Sequence, residues 1–265
     1  MRRIVPWVVP FLLLAAWQAA GDVGWLSGRV LPTPVAVARA GAQLAESGEL
    51  GLHLRVSFQR AAVGFLIGGG IGLILGMFTG VSRSAESFLD GTLQMLRTVP
   101  HLAMIPLVIL WFGVGESAKV FLVALGVLFP IYLNTYHGVR SVDPGLIEMG
   151  RVYGLGRWQL VVRVLLPGAS ASILVGVRYA LGVMWLTLIV AETIAATSGI
   201  GSLAMNAREF LRTDVVVLCI LLYAVLGKLA DSSARLLERW WLPWHPAFAR
   251  MPVKADPGDP DGDNR

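Results

Sequence analysis

Six apolar runs constrain this chain more than any other feature: 6–20, 58–81, 92–112, 118–136, 170–194 and 214–237. A helix needs about 20 mostly apolar residues to cross the hydrocarbon core of a bilayer. Each run is therefore read as one membrane span, giving an all-α integral membrane protein of about six helices. Composition supports this: 55% of the 265 residues are hydrophobic and only 15% are charged. A soluble domain carries about 25% charged residues, so a cytosolic enzyme and a disordered chain are both excluded. The run at 6–20 follows Arg2 and Arg3, as in a signal peptide, but lacks a convincing small-x-small cleavage site, and it is read as a retained helix.

The basic residues set the orientation. With the N-terminus inside, 12 Lys and Arg fall on inner segments, 6 on outer segments and 4 within or at the ends of spans, which accounts for all 22. The excess of inner positive charge argues for both termini inside. It also explains the net charge of +5 as topology, with lipid as the surroundings and no nucleic acid as partner. The chain divides into a first helix (1–20), an outer loop with a short interfacial helix (21–57), a core of five helices (58–237) and an inner tail (238–265), disordered from about 251. The tail's Pro, Gly and Asp content cannot bury apolar surface.

Glycine recurs at every fourth position of the second span: Gly64, Gly68, Gly72, Gly76 and Gly80. These five share one helix face and make a groove for close helix packing. The neighbour filling it is read as another helix of the same chain, with a dimer seam as the alternative. Arg178, eight residues into the fifth span, and Glu192, near its outer end, are the two charges considered for a solute pathway. For Arg178 the competing reading is an internal pair with Asp90 or Glu148, or snorkelling to the inner face. Arg97 is read as pairing with Asp90 or reaching the interface, and Lys228 as pairing with Asp231 three residues on.

Catalytic apparatus is missing from the sequence. There is no G-x-x-x-x-G-K-[ST] phosphate loop, and the two G-x-G-x-x-A runs at Gly113 and Gly199 do not follow a strand. His53, His101, His137 and His245 are not spaced to share a metal, and the lone Cys219 rules out an internal disulfide.

The longest inner connection, 143–167, has its own structure. Asp143 can cap a helix opening at Pro144, and Leu146, Met149 and Tyr153 share one face of it. Gly154 and Gly156 stop it, and a second short helix runs from Arg157 to a stop at Pro167. An exposed apolar stripe of this kind suits a groove on another protein.

This loop resembles the EAA motif of ABC importer permeases. Glu148, Gly154, Leu166 and Pro167 match at the motif's spacing, Met149 and Gly150 replace its two alanines, and Val164 replaces its isoleucine. The run Thr92 to His101, then Ile105-Pro106 to Trp111-Phe112-Gly113, is similar to the nitrate/sulfonate/taurine permease group, as are Ala191-Glu192-Thr193 and Ser198-Gly199-Ile200-Gly201. The segment Ala204 to Phe210 with Thr213-Asp214 is most similar to the aliphatic sulfonate branch. The resemblance implies the type-1 importer permease fold and a homodimer around a translocation pathway. It implies that Glu148, Met149, Gly150, Gly154, Leu166 and Pro167 couple the chain to a separate ATPase subunit. That subunit would use ATP and Mg, with no cofactor bound by this chain, and a periplasmic or lipid-anchored binding protein would deliver the solute.

Overall fold

The structure, a computed structural model, describes residues 5–242. The helices in chain order are α1 (Val5–Asp22), α2 (Pro34–Glu46), α3 (Glu49–Val81), α4 (Arg83–Thr98), α5 (Ile105–Phe112), α6 (Glu116–Arg140), α7 (Pro144–Val152), α8 (Arg157–Leu160), α9 (Leu166–Ala195), α10 (Ile200–Glu209) and α11 (Thr213–Trp241). A 3-10 turn, His101–Met104, precedes α5, and a π turn, Val161–Leu165, joins α8 to α9. Among the described residues there is no strand.

Four helical segments are long and apolar enough to cross a membrane: α3, α6, Arg157–Ile194 and α11. A fifth crossing is broken, its halves Gly91–Thr98 and His101–Phe112 meeting at 77°. The sequence reads this run as one continuous span, but Val99 and Pro100 are extended, because the Pro100 ring disfavours a helical Val99. The sixth apolar helix, Val8–Asp22, is shorter than the others.

Three boundaries differ from the sequence reading. Residues 49–57, assigned above to the outer loop, are the first turns of α3, whose 33 residues reach about 50 Å at 1.5 Å per residue. Helix α2 is capped by Thr33, whose hydroxyl accepts from the Ala36 N–H at 3.3 Å. Its stripe of Val37, Ala40 and Leu44 is buried, and Ala40 and Leu44 pack in one core with Ile200, Leu203, Val215 and Cys219. Its apolar face is thus covered by protein, not lipid. Pro167 does not end a helix either. The Leu166 N–H bonds the Val161 carbonyl five residues back, and the helix continues through Pro167 into α9. Residues 238–241, expected in the tail, close α11, and the tail beyond 242 lies outside the described residues.

Helix α6 is the central element, and glycines admit it to both neighbours. A Cβ built on Gly68 would lie 2.0 Å from the Ala124 carbonyl oxygen, and one on Gly72 2.5 Å from that of Leu128. Those on Gly64, Gly76 and Gly80 would lie 2.6–2.8 Å from side-chain atoms of Val123, Thr135 and Val139. The α3 groove is therefore filled by α6 of the same chain, backbone against backbone. On its other side, Gly138 of α6 lies against Ala169 and Ser172, and Gly176 of α9 against Pro130 and Asn134. Between them lies the main core: Ala61, Val123, Val127, Ile131, Ala180, Met184, Trp185 and Leu188.

Gly72→Leu is expected to separate α3 from α6, because the obstruction is backbone and cannot swing aside. Overpacking costs about 1–3 kcal/mol where side chains can yield, and this site should exceed that range. Thermal unfolding of the detergent-solubilised protein checks it; an unchanged Tm would contradict the close approach.

Candidate functional site

Two polar or exposed features stand at opposite ends of the bundle. At the inner end, by the orientation expected from the charges, is the 143–167 loop. Asp143 accepts from the Gly145 N–H at 2.7 Å and caps α7, with Pro144 at its first position. The helix closes at Gly154, φ +78°. The Leu155 N–H bonds the Gly150 carbonyl at 3.0 Å and the Gly154 N–H bonds that of Arg151 at 2.9 Å. This is a complete Schellman closure, with its left-handed residue a glycine. Gln159 then accepts from the Gly156 N–H at 3.0 Å and opens α8.

The six loop residues separate by role. Glu148 and Met149 are exposed on α7, as are Leu146, Val152 and Tyr153. Gly150 is buried, and a Cβ there would meet Leu160 at 2.7 Å and Leu155 at 3.3 Å, so it sets how α7 folds onto α8. Gly154 supplies the positive φ. Leu166 and Pro167 are exposed at the start of α9. Met149, Gly150 and Pro167 come together along one open apolar groove with Tyr153, Leu155 and Val164. A projecting helix with an exposed apolar face and one carboxylate can dock on a partner.

At the other end, Glu192 lies in a closed network. It is 1% exposed. Its carboxylate accepts from the Ser57 hydroxyl at 2.8 Å, Arg60 Nη1 at 2.8 Å, the Gly201 N–H at 3.0 Å and the Tyr223 hydroxyl at 3.2 Å. Ser57 in turn accepts from the Ile200 N–H at 2.9 Å. Arg60 uses its whole fork. Nε and Nη2 take both oxygens of Glu116 at 2.5 and 2.6 Å, Nη1 reaches the Ser198 carbonyl at 2.5 Å, and Nη2 reaches the Ser198 hydroxyl at 3.0 Å. Gly199, at φ +109°, leaves no room for a side chain: a Cβ there would stand 2.3 Å from Glu192 Oε1. The network ties α3, α6, α9, α10 and α11 together at one level.

Arg178 and Glu192 do not meet. Arg178 Nε bonds Asp231 Oδ1 of α11 at 2.8 Å, and Asp231 Oδ2 also holds Arg235 at 2.7 Å. Asp231 is thus paired across helices rather than with Lys228. The sequence reading missed Arg60 as the partner of Glu192. The available signal was Arg60, the one charge in run 58–81, and Glu192 in run 170–194, opposite in sign and both near the outer end.

Residues 68–242 match the family described as binding-protein-dependent transport system inner membrane component. An aliphatic sulfonates transport permease protein, SsuC, of Escherichia coli (strain K12) is 64% identical over 94% of each chain. Its namesake from Bacillus subtilis (strain 168) is 48% identical over 91% of this chain and 87% of that one. The taurine transport system permease protein TauC of Escherichia coli (strain K12) is 36% identical over 88% and 87%. Among solved structures, a chain of an amino acid ABC transporter with histidines superposes with TM-score 0.62 at 17% identity, over 75% of this chain and 97% of that one. A chain of the MetNI methionine ABC transporter gives TM-score 0.52 at 20% identity, over 71% and 97%. Family match, high-identity relatives and shared helical fold agree: this chain belongs to the inner-membrane permease components of binding-protein-dependent ABC transport systems.

Proposed function

We propose that this chain forms the transmembrane pathway of an ATP-driven importer of aliphatic sulfonates, acting as a pair of identical subunits. An ATPase subunit docks on the 143–167 loop, and an external binding protein delivers the solute. The observation that carries the cargo class is the 64% identity, along 94% of the chain, to a permease named for aliphatic sulfonates. Taurine is the second reading, favoured by the 36% relative named for it, and it too is a small sulfonate.

For coupling, the support is geometric. The exposed face of α7 is held by an N-cap, a Schellman closure and the Gly150–Leu160 contact, so the loop is rigid before any partner arrives. Preorganised surfaces lose less entropy on docking. A rigid loop also passes motion to α9, since α8, the π turn and α9 are one continuous helical segment, Arg157–Ile194.

The test is uptake into proteoliposomes holding this chain, its ATPase subunit and the cognate binding protein. A panel of alkanesulfonates, taurine and nitrate is offered with ATP inside. Uptake of alkanesulfonates at least tenfold above that of nitrate is the expected result. Preference for nitrate, or uptake without ATP, would overturn the reading.

A further inference from the structure

One face of helix α4 is polar. Arg83, Glu86, Gln94, Arg97 and Thr98 fall on one face of the helix, so they form one stripe along it. The stripe does not lie flat on the membrane surface. Near its lower end Glu86 pairs with Arg140, the last residue of α6, at 2.8 Å. Beyond its upper end His101 Nε2 stands 3.0 Å from the Thr187 hydroxyl of α9 and beside Gly126 of α6. Glu86 to Thr98, the end of α4, is 12 residues and Arg140 to Gly126 is 14, about 18 and 21 Å of helical rise. So α4, packed on α3, rises from the inner end of α6 to about the middle of the membrane.

There the crossing breaks. Thr98, Val99 and Pro100 are exposed, and Val99 and Pro100 are extended. Lipid does not tolerate non-helical backbone; protein or water must lie against it. One residue before this exposed stretch, Arg97 is exposed, with no ion pair or side-chain hydrogen bond among the described residues. An unpaired guanidinium at that depth costs several kcal/mol against lipid. Every other arginine tested above for a buried or mid-membrane role is committed: Arg60 to Glu116 and Glu192, Arg178 to Asp231.

We propose that the polar stripe of α4 lines the inner half of a water-filled path, and that Arg97, at the break, holds the oxyanion head of the solute in transit. A guanidinium suits this task because its planar fork meets two oxygens of a sulfonate at once. Glu86 is neutralised by Arg140 and does not repel the anion. The cargo class rests on the importer reading above; the wetness of the path does not.

The test uses Arg97→Cys in the complete reconstituted complex. The chain's own Cys219 is buried, and the unsubstituted complex treated alike is the control. Uptake of an alkanesulfonate is expected to fall at least tenfold, while loaded binding protein still stimulates ATP hydrolysis. Aminoethyl methanethiosulfonate, which restores a cation, should recover a third or more of uptake; the neutral methyl reagent should not. The solute should slow labelling. Arg97→Lys should retain uptake with weaker saturation. Wild-type uptake by Arg97→Cys, equal rescue by the neutral reagent, or no labelling by water-soluble reagents would each overturn the assignment. So would loss of assembly in both variants, which would make Arg97 a packing residue. If the unsubstituted complex takes up no sulfonate but the cysteine labels readily, the cargo reading fails and the water-filled path stands.

Discussion

Arg60→Ala is expected to unfold the outer end of the bundle, with the largest stability loss of any single substitution outside the α3–α6 seam. Arg60 and Glu192 are 3% and 1% exposed, and the substitution leaves the Glu192 carboxylate buried with no cation. Breaking a buried pair from one side costs about 3–5 kcal/mol. Ser198 also loses both of its bonds to the guanidinium, so the turn that positions Gly199 loosens. Glu192→Gln should be milder, since Arg60 keeps the bidentate hold of Glu116. Glu116→Ala should be mildest, because that side chain is 62% exposed. The double substitution of Arg60 and Glu192 should cost less than the two singles summed, as coupled groups do. Thermal unfolding of the four variants in one detergent ranks them. Arg60→Ala within 1 kcal/mol of the unsubstituted protein would mean the network is not what holds these helices together.

The second large effect is functional. Gly154→Val places a β-branched side chain at φ +78°, a conformation such residues adopt poorly. The two closing bonds from Gly154 and Leu155 should be lost, and with them the angle between α7 and α8. A Cβ at Gly154 has nothing within 4 Å, so the harm is conformational and local. Membrane insertion should be near normal. Uptake per ATP hydrolysed should fall by at least tenfold, by weaker binding of the ATPase subunit or by uncoupling. Glu148→Lys should do the same through charge, its carboxylate being exposed on α7. Neither should change which sulfonate is preferred, since the loop stands outside the membrane. Co-purification of the ATPase subunit and stimulated hydrolysis are the two measurements. Ordinary values of both in both variants would remove the loop from coupling, and a changed solute preference would move it to the cargo path.

What was legible in the sequence was whatever repeats locally. Glycine at every fourth position predicts one groove, and the groove is there, filled by α6. Asp143 and Gly154 bracket α7 because caps and left-handed closures are set by neighbours only a few residues away. The outer network was not legible, because Ser57 and Glu192 are separated by 135 residues and Arg60 and Ser198 by 138. No local period joins them. Gly199 reads only as the start of a G-x-G-x-x-A run that follows no strand, yet its missing side chain is what lets Glu192 and Arg60 close beneath it. Two prolines misled in opposite directions. Pro100 sits in an apolar run that hydropathy alone joins into one span, whereas its ring favours the extended backbone that breaks it. Pro167 reads as a stop, but a π turn ahead of it lets the helix continue.

The central claim is that the exposed face of α7 is the surface on which the ATPase subunit sits. A photoreactive amino acid in place of Met149, which is 52% exposed, tests this most directly in the assembled transporter in native membranes. A covalent adduct to the ATPase subunit is expected, with the yield cut at least fivefold by Glu148→Lys in the same chain. An adduct only to lipid, to the external binding protein or to a second copy of this chain would contradict it.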